Sequence, residues 1–133
     1  MPHERLVNKL ATFGIKENLL MWIKSFLTGR RQRVKLRGVA SAWTRVLSGV
    51  PQGSVLGPLL FVLYINDIVE NLDCQSYLYA DDMKLYRIIA DTADANILQE
   101  NLTKVVEWTE KWLIRLNIAK CKVLRLNGKK SIK

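Results

Sequence analysis

A length of 133 residues, 49% of them hydrophobic, suits one domain or part of one with its own core, and argues against a disordered chain. The most apolar run, Val55 to Ile65, is interrupted by Gly57 and Pro58. It falls short of the ~20 residues that span a bilayer, and no basic segment followed by an apolar run opens the chain, so neither a membrane helix nor a secretory signal is expected.

The net charge of +9 is segregated along the chain. No acid occurs between Glu17 and Asp67, where Lys24, Arg30, Arg31, Arg33, Lys35, Arg37 and Arg45 contribute +7. Asp67 to Glu110 holds ten acids against Lys84, Arg87 and Lys104, and only basic charges follow Glu110. Basic segments flanking an acidic middle point to a polyanionic partner. Cys74 and Cys121 are widely spaced and have no His cluster, so they read as reduced, buried thiols.

In chain order, Leu6, Leu10 and Phe13 fall on one face of a short helix that Gly14 is placed to end. Leu19, Leu20, Trp22, Ile23, Phe26 and Leu27 predict a second, more heavily buried helix ending near Gly29, and hence a helical hairpin. His3 has no partners in the sequence and is read as a cap or surface residue. From Arg31 to Arg37, cations alternate with Gln32, Val34 and Leu36, which predicts a strand with a basic face and a largely apolar inward face. Gly38 to Ser41 would turn the chain, and Ala42 to Leu47 would return beside it. That strand is either a charged edge that resists aggregation or a phosphate-binding surface.

Ser48 to Gly57 carries Gly49, Pro51, Gly53 and Gly57, which predicts a shaped loop. Gly53 would let the backbone approach a ligand closely, and Gln52 brings an amide donor and an acceptor. Pro58 suits the first turn of the helix after it, whose apolar residues from Leu59 to Ile65 predict burial under a sheet.

Cys74 to Tyr79 and Met83 to Ile89 have strand composition, with Ala80-Asp81-Asp82 between them at the tip of a hairpin. An Asp pair in a turn has two readings, wet turn chemistry or a magnesium site in which crowded carboxylates share the ion with substrate phosphates. Asp67, Glu70 and Asp73 read as surface carboxylates. Leu98, Leu102, Val105, Trp108 or Thr109, and Trp112 recur at helical spacing, which predicts a long helix from an N-cap near Asp94 to Leu113 with its Trp residues in the core. Cys121 to Leu126 would form a last strand before a basic tail.

The ordered set Ser48-Gly49-Val50-Pro51-Gln52-Gly53-Ser54-Val55-Leu56-Gly57-Pro58-Leu59-Leu60-Phe61, Tyr64-Ile65-Asn66-Asp67 and Tyr79-Ala80-Asp81-Asp82 resembles the reverse transcriptases of LINE-type, non-LTR retrotransposons. Met1-Pro2-His3-Glu4-Arg5-Leu6 resembles the segment after that family's first catalytic motif, and Leu116 to Leu124 resembles the approach to its thumb. The resemblance implies an α+β palm with a catalytic hairpin on an antiparallel sheet backed by helices, residues 1–133 forming part of a reverse transcriptase domain. It implies RNA-directed DNA synthesis with magnesium or manganese on Asp81 and Asp82, a nucleotide pocket shaped by Gln52, Gly53 and Ser54, and Lys120 as a proton donor to pyrophosphate. RNA template, DNA primer and deoxynucleoside triphosphates are the implied partners; Arg30, Arg31, Arg33, Lys35 and Arg37 would contact nucleic-acid backbone. An intracellular protein, of nucleus or cytoplasm, is implied. In that family another catalytic Asp and an aromatic residue precede the Pro-His segment, so the chain alone is expected not to polymerise. Two rivals stand beside this reading: a nonenzymatic RNA-binding remnant, and an RNA-dependent RNA polymerase on the same palm.

Overall fold

A computed structural model of the chain describes residues 1–126. The chain divides into two compact units, Met1–Asp67 and Ile68–Lys133. Among the described residues, four α-helices and three two-stranded antiparallel ladders make it α+β.

In the first unit, α1 (His3–Thr12) buries Leu6 and Leu10 fully. Gly14 follows at φ +82°, a left-handed conformation that only glycine takes without a Cβ penalty, and its N–H donates to the Ala11 carbonyl at 3.0 Å. The second helix, α2 (Glu17–Leu27), packs on α1 with Ile23 and Leu27 buried. Leu19, Met21 and Trp22 are exposed, and Trp22 stacks on Phe26 with ring centroids 5.9 Å apart. The expected heavy burial of this helix is therefore corrected: its apolar side chains surround more of the helix than one neighbour can cover.

The third helix, α3 (Leu56–Ile65), also packs on α1 and buries Gly57, Leu60, Tyr64 and Ile65. Leu59 and Val62 remain about half exposed, so its burial is one-sided and the all-round burial expected from composition is corrected. Lys9 on α1 is buried, bonds to the Tyr64 carbonyl and pairs with Asp67, so Asp67 is a structural carboxylate rather than a simple surface one.

Between α2 and α3 the basic segment forms a hairpin in two short ladders. Arg31–Gln32 (β1) pairs with Thr44–Arg45 (β4), and Lys35–Leu36 (β2) with Val39–Ala40 (β3). Its tip is Arg37-Gly38, both at positive φ (+47° and +87°), earlier than the expected Gly38 to Ser41 turn. Ser41 separates the ladders, its N–H donating to the Val34 carbonyl at 2.9 Å and its Oγ accepting from Val34 N–H at 3.0 Å. The inward apolar face is not found: Val34, Leu36, Val39 and Trp43 are all exposed.

In the second unit, β5 (Gln75–Tyr79) and β6 (Asp82–Tyr86) pair in register, Tyr79 opposite Asp82 and Gln75 opposite Tyr86. Ser76, Leu78, Met83 and Leu85 are half-buried on one face, with Tyr77, Tyr79, Asp82, Lys84 and Tyr86 exposed on the other. The long helix α4 (Thr92–Trp112) is capped by Asp91, not Asp94, and ends at Leu113 in the left-handed region. Its buried stripe is Asn101, Val105 and Thr109. Trp108 and Trp112 lie half-buried against each other at 6.0 Å, which corrects their expected place in the core. Asn101 is fully buried because its amide is satisfied twice, accepting from Asp73 N–H and donating to the Ile97 carbonyl, each at 2.7 Å. Residues 121–126 form no strand, contrary to expectation, and the basic tail lies outside the described residues. Cys74 is half-buried and Cys121 exposed, so the second of the two expected buried thiols is corrected.

Candidate active site and nucleic-acid surface

Asp81 and Asp82 are fixed by the geometry of one turn. Ala80 takes φ +50°, which reverses the chain after Tyr79 and leaves Ala80-Asp81 as the two residues of the tip. Asp82 is already the first residue of β6, so one carboxylate stands on the turn and the other at the strand end, not both in the turn as expected. Both are exposed, and neither has an ion pair or hydrogen bond among the described residues. Neither lines the open groove of about 350 Å³ formed by Ile68, Leu72, Lys104, Trp108 and their neighbours.

On the same hairpin face, Tyr77 and Tyr86 stack with centroids 5.7 Å apart and planes within 1°, and their hydroxyls share a hydrogen bond of 3.2 Å. That bond, with Tyr77 beside it, holds the Tyr86 hydroxyl above the usual phenol range. Sequence reading missed this pair because it needed the register: only with Gln75 opposite Tyr86 do the two rings become diagonal neighbours.

The Gln52-Gly53 loop belongs to the first unit and the Asp pair to the second. Gln52 and Gly53 are exposed, and Gly53 sits at φ +77° with open space where a Cβ would be. Ser54 acts within the loop: its Oγ donates to the Pro51 carbonyl at 2.7 Å and accepts from Gly57 N–H at 3.0 Å, satisfying a donor in the first turn of α3. Gly57 is required for closeness, because a Cβ there would stand 2.8 Å from the Pro51 carbonyl oxygen. Lys120 is exposed in a short 3-10 turn, Ile118–Lys120.

Arg31, Arg33, Lys35 and Arg37 are exposed on the basic hairpin and make no ion pair among the described residues. Arg31 lies directly opposite Arg45, a like-charge pair that costs stability unless an anion sits near it. Arg33 lies over the Trp43 ring at 4.6 Å. Arg30 differs: it is half-buried and donates to the carbonyls of Leu27 at 2.8 Å and Gly49 at 2.9 Å.

Exposed adjacent carboxylates fit a hard divalent cation that retains water and substrate oxygens as its other ligands. No group of three His, Cys, Asp or Glu able to enclose an ion occurs among the described residues. No helix there is long and apolar enough to cross a membrane.

Residues 1–133 match the family described as reverse transcriptase (RNA-dependent DNA polymerase), and the chain belongs to that family. It is 36% identical over 115 residues to the RNA-directed DNA polymerase from mobile element jockey of Drosophila melanogaster, covering 77% of this chain and 12% of that protein. It is 38% identical over 104 residues to the D. melanogaster protein named probable RNA-directed DNA polymerase from transposon X-element, covering 74% of this chain and 12% of that one. The jockey polymerase of Drosophila funebris is 36% identical over 118 residues. The chain thus spans about an eighth of the relatives it matches. No solved structure matches it significantly.

Proposed function

We propose that the chain carries the nucleotidyl-transfer centre of a retrotransposon reverse transcriptase, with residues 1–133 forming part of the palm and adjoining fingers. The observation that carries this reading is the exposed Asp81-Asp82 pair at the tip of β5–β6, unpaired by any cation among the described residues, in a chain of this family. Asp81 and Asp82 would hold magnesium or manganese, Asp81 as principal ligand. When bound, the ion supplies activation of the primer 3′ hydroxyl and neutralises charge building on the phosphates.

The chain's own groups do the rest. Gln52 offers an amide donor and acceptor to the incoming deoxynucleotide, and Gly53 lets the backbone come close to it. Ser54 fixes the loop through the Pro51 carbonyl. Lys120 gives its proton to the departing pyrophosphate as the bond between primer oxygen and α-phosphorus forms. Arg31, Arg33, Lys35 and Arg37 take phosphates of RNA template and DNA primer, relieving the repulsion between Arg31 and Arg45.

The test is primer extension by a longer chain that carries family-type segments on both sides of residues 1–133. Magnesium-dependent addition of deoxynucleotides to a DNA primer on RNA, lost in Asp81→Asn while primer-template binding persists, is the expected result. Binding without extension would replace the enzymatic reading by that of an RNA-binding remnant. Preference for ribonucleotides would make the chain an RNA polymerase.

A further inference from the structure

Five donors and acceptors meet where the chain enters the Pro51-Gln52-Gly53 loop. The Gly49 N–H donates to the Met1 carbonyl at 2.8 Å, and Pro2 bridges Ser48. The Gly49 carbonyl faces His3 Nε2 at 2.8 Å and an Arg30 terminal nitrogen at 2.9 Å. That same Arg30 nitrogen lies 3.3 Å from His3 Nε2. A guanidinium only donates, and a nitrogen that accepts from Arg30 has no proton for Gly49. The two shorter distances decide the assignment: His3 Nε2 carries a proton, and both side chains donate to one carbonyl oxygen, filling its two lone pairs.

His3 is 7% exposed and Arg30 half-buried, with Arg30 Nε held by the Leu27 carbonyl at the end of α2. The backbone of Arg30 joins in, since its carbonyl accepts from Val46 N–H at 3.0 Å. Gly49 itself sits at φ +79°, where the chain reverses into the loop. At its other end the loop is closed by Ser54 and by the Cβ-free approach of Gly57 to Pro51. Gln52 and Gly53, exposed and without such ties among the described residues, lie between two fixed points.

We infer that His3 and Arg30 are positioning residues for the Gln52-Gly53 loop, holding it through the Gly49 carbonyl in the place where it meets the nucleotide. This rests on the nucleotide role proposed above for that loop. It also gives Arg30 a task distinct from that of its neighbours on the basic hairpin, and ties the start of α1 and the end of α2 to the geometry of the loop.

The 133-residue chain itself can be tested by amide hydrogen exchange, with the Gly49 N–H as reporter, and by deoxynucleoside triphosphate titration followed at the Gln52 and Gly53 amides. His3→Phe removes one donor and keeps a ring in the buried site. It should raise Gly49 exchange about fivefold to tenfold, the loss expected for one such bond, and weaken the nucleotide-induced shifts. The β5–β6 amides should exchange as in the unaltered chain, and the thermal midpoint should fall by no more than the few degrees that one hydrogen bond accounts for. His3→Gln, which restores a side-chain N–H, should recover both readouts, and Arg30→Met should repeat the His3→Phe result if that variant does not fold. Unchanged Gly49 exchange in either variant, or an equal rise at every amide, would overturn the inference. Absence of any nucleotide shift in the unaltered chain would instead defeat the nucleotide role of the loop, with the exchange comparison still deciding whether His3 and Arg30 hold it.

Discussion

Lys9 and Asp67, 58 positions apart, form an ion pair that joins the last turn of α1 to the chain just past α3, with Lys9 3% and Asp67 23% exposed. The ammonium also donates to the Tyr64 carbonyl and lies 5.3 Å from the Tyr64 ring centre. Breaking a fully buried pair from one side costs roughly 3–5 kcal/mol. Partial exposure of Asp67 brings the expected cost of Asp67→Ala nearer to about 2 kcal/mol, in line with an under-compensated buried charge. Lys9→Met should cost less, because the freed carboxylate can turn to water while the thioether fills the site. Urea denaturation of the two variants checks the order; losses below about 1 kcal/mol in both would mean the pair is solvated in solution.

Ala80 carries strain at the turn that leads into Asp81 and Asp82. At φ +50° a side chain with a Cβ is about 1 kcal/mol worse than glycine, and part of that gain is offset by glycine's greater freedom when unfolded. Ala80→Gly should therefore leave stability unchanged or raise it by up to about 0.5 kcal/mol, whereas Ala80→Val, β-branched, should lower it by about 1 kcal/mol or more. Thermal midpoints of the two variants measure the difference. A lower midpoint for the glycine variant would show that Ala80 is not left-handed in solution.

Local patterns were legible in the sequence and partner-dependent ones were not. Leu6, Leu10 and Gly14 placed α1 because spacing and a stop signal suffice. Tyr79 and Met83 were separable as strand residues around a turn, but that Asp82 belongs to the strand and not to the tip depended on Ala80 adopting a conformation more typical of Gly or Asn. His3, Lys9 and Asn101 were missed for a common reason. Each is polar and buried through partners 28 to 58 residues away, and hydrophobic periodicity carries no record of such bonds. Trp22 and Trp43 mislead in the opposite sense: apolar character suggests burial, and both are exposed.

Asp94 gives α4 a pH dependence. Its carboxylate accepts from Ala90 N–H at 3.0 Å and from Arg87 at 2.9 Å, and these bonds hold its pKa below the usual carboxylate range. A lowered folded-state pKa means the unfolded chain binds more protons in that window, so stability rises with pH there. The contribution is complete above the ordinary carboxylate range and is lost as pH falls through the lowered value. Asp94→Asn should flatten the acid limb of stability against pH and leave the neutral region parallel to the unaltered chain. Identical acid limbs would remove Asp94 from the account.

The basic hairpin should bind RNA or an RNA/DNA duplex with little sequence preference and steep salt dependence. Replacing Arg31, Arg33 and Arg37 by Ala should reduce the slope of log affinity against log salt by about one unit for each phosphate the hairpin no longer neutralises. Arg33 also leaves the Trp43 ring, so the single Arg33→Ala variant should carry a small stability loss that Arg37→Ala does not. A slope unchanged by the triple replacement would exclude this hairpin as the binding surface.

Asp81 and Asp82 should bind manganese weakly and in one place. Two protein oxygens leave most of the coordination sphere to water, and no third carboxylate, His or Cys joins them among the described residues. Broadening by the paramagnetic ion should centre on residues 80–83 and fade along β5 and β6 toward Gln75 and Tyr86, the far end of the ladder. Asp81 stands exposed on the turn, whereas Asp82 is held in the β6 ladder opposite Tyr79. Asp81→Asn should therefore remove most of the broadening and Asp82→Asn only part of it. Magnesium in excess should reverse the effect, since both are hard ions competing for the same oxygens. If broadening centred instead on Asp91 and Asp94 at the start of α4, where carboxylates also gather, the hairpin tip would lose its claim to the ion, and the Asp pair would be turn chemistry alone.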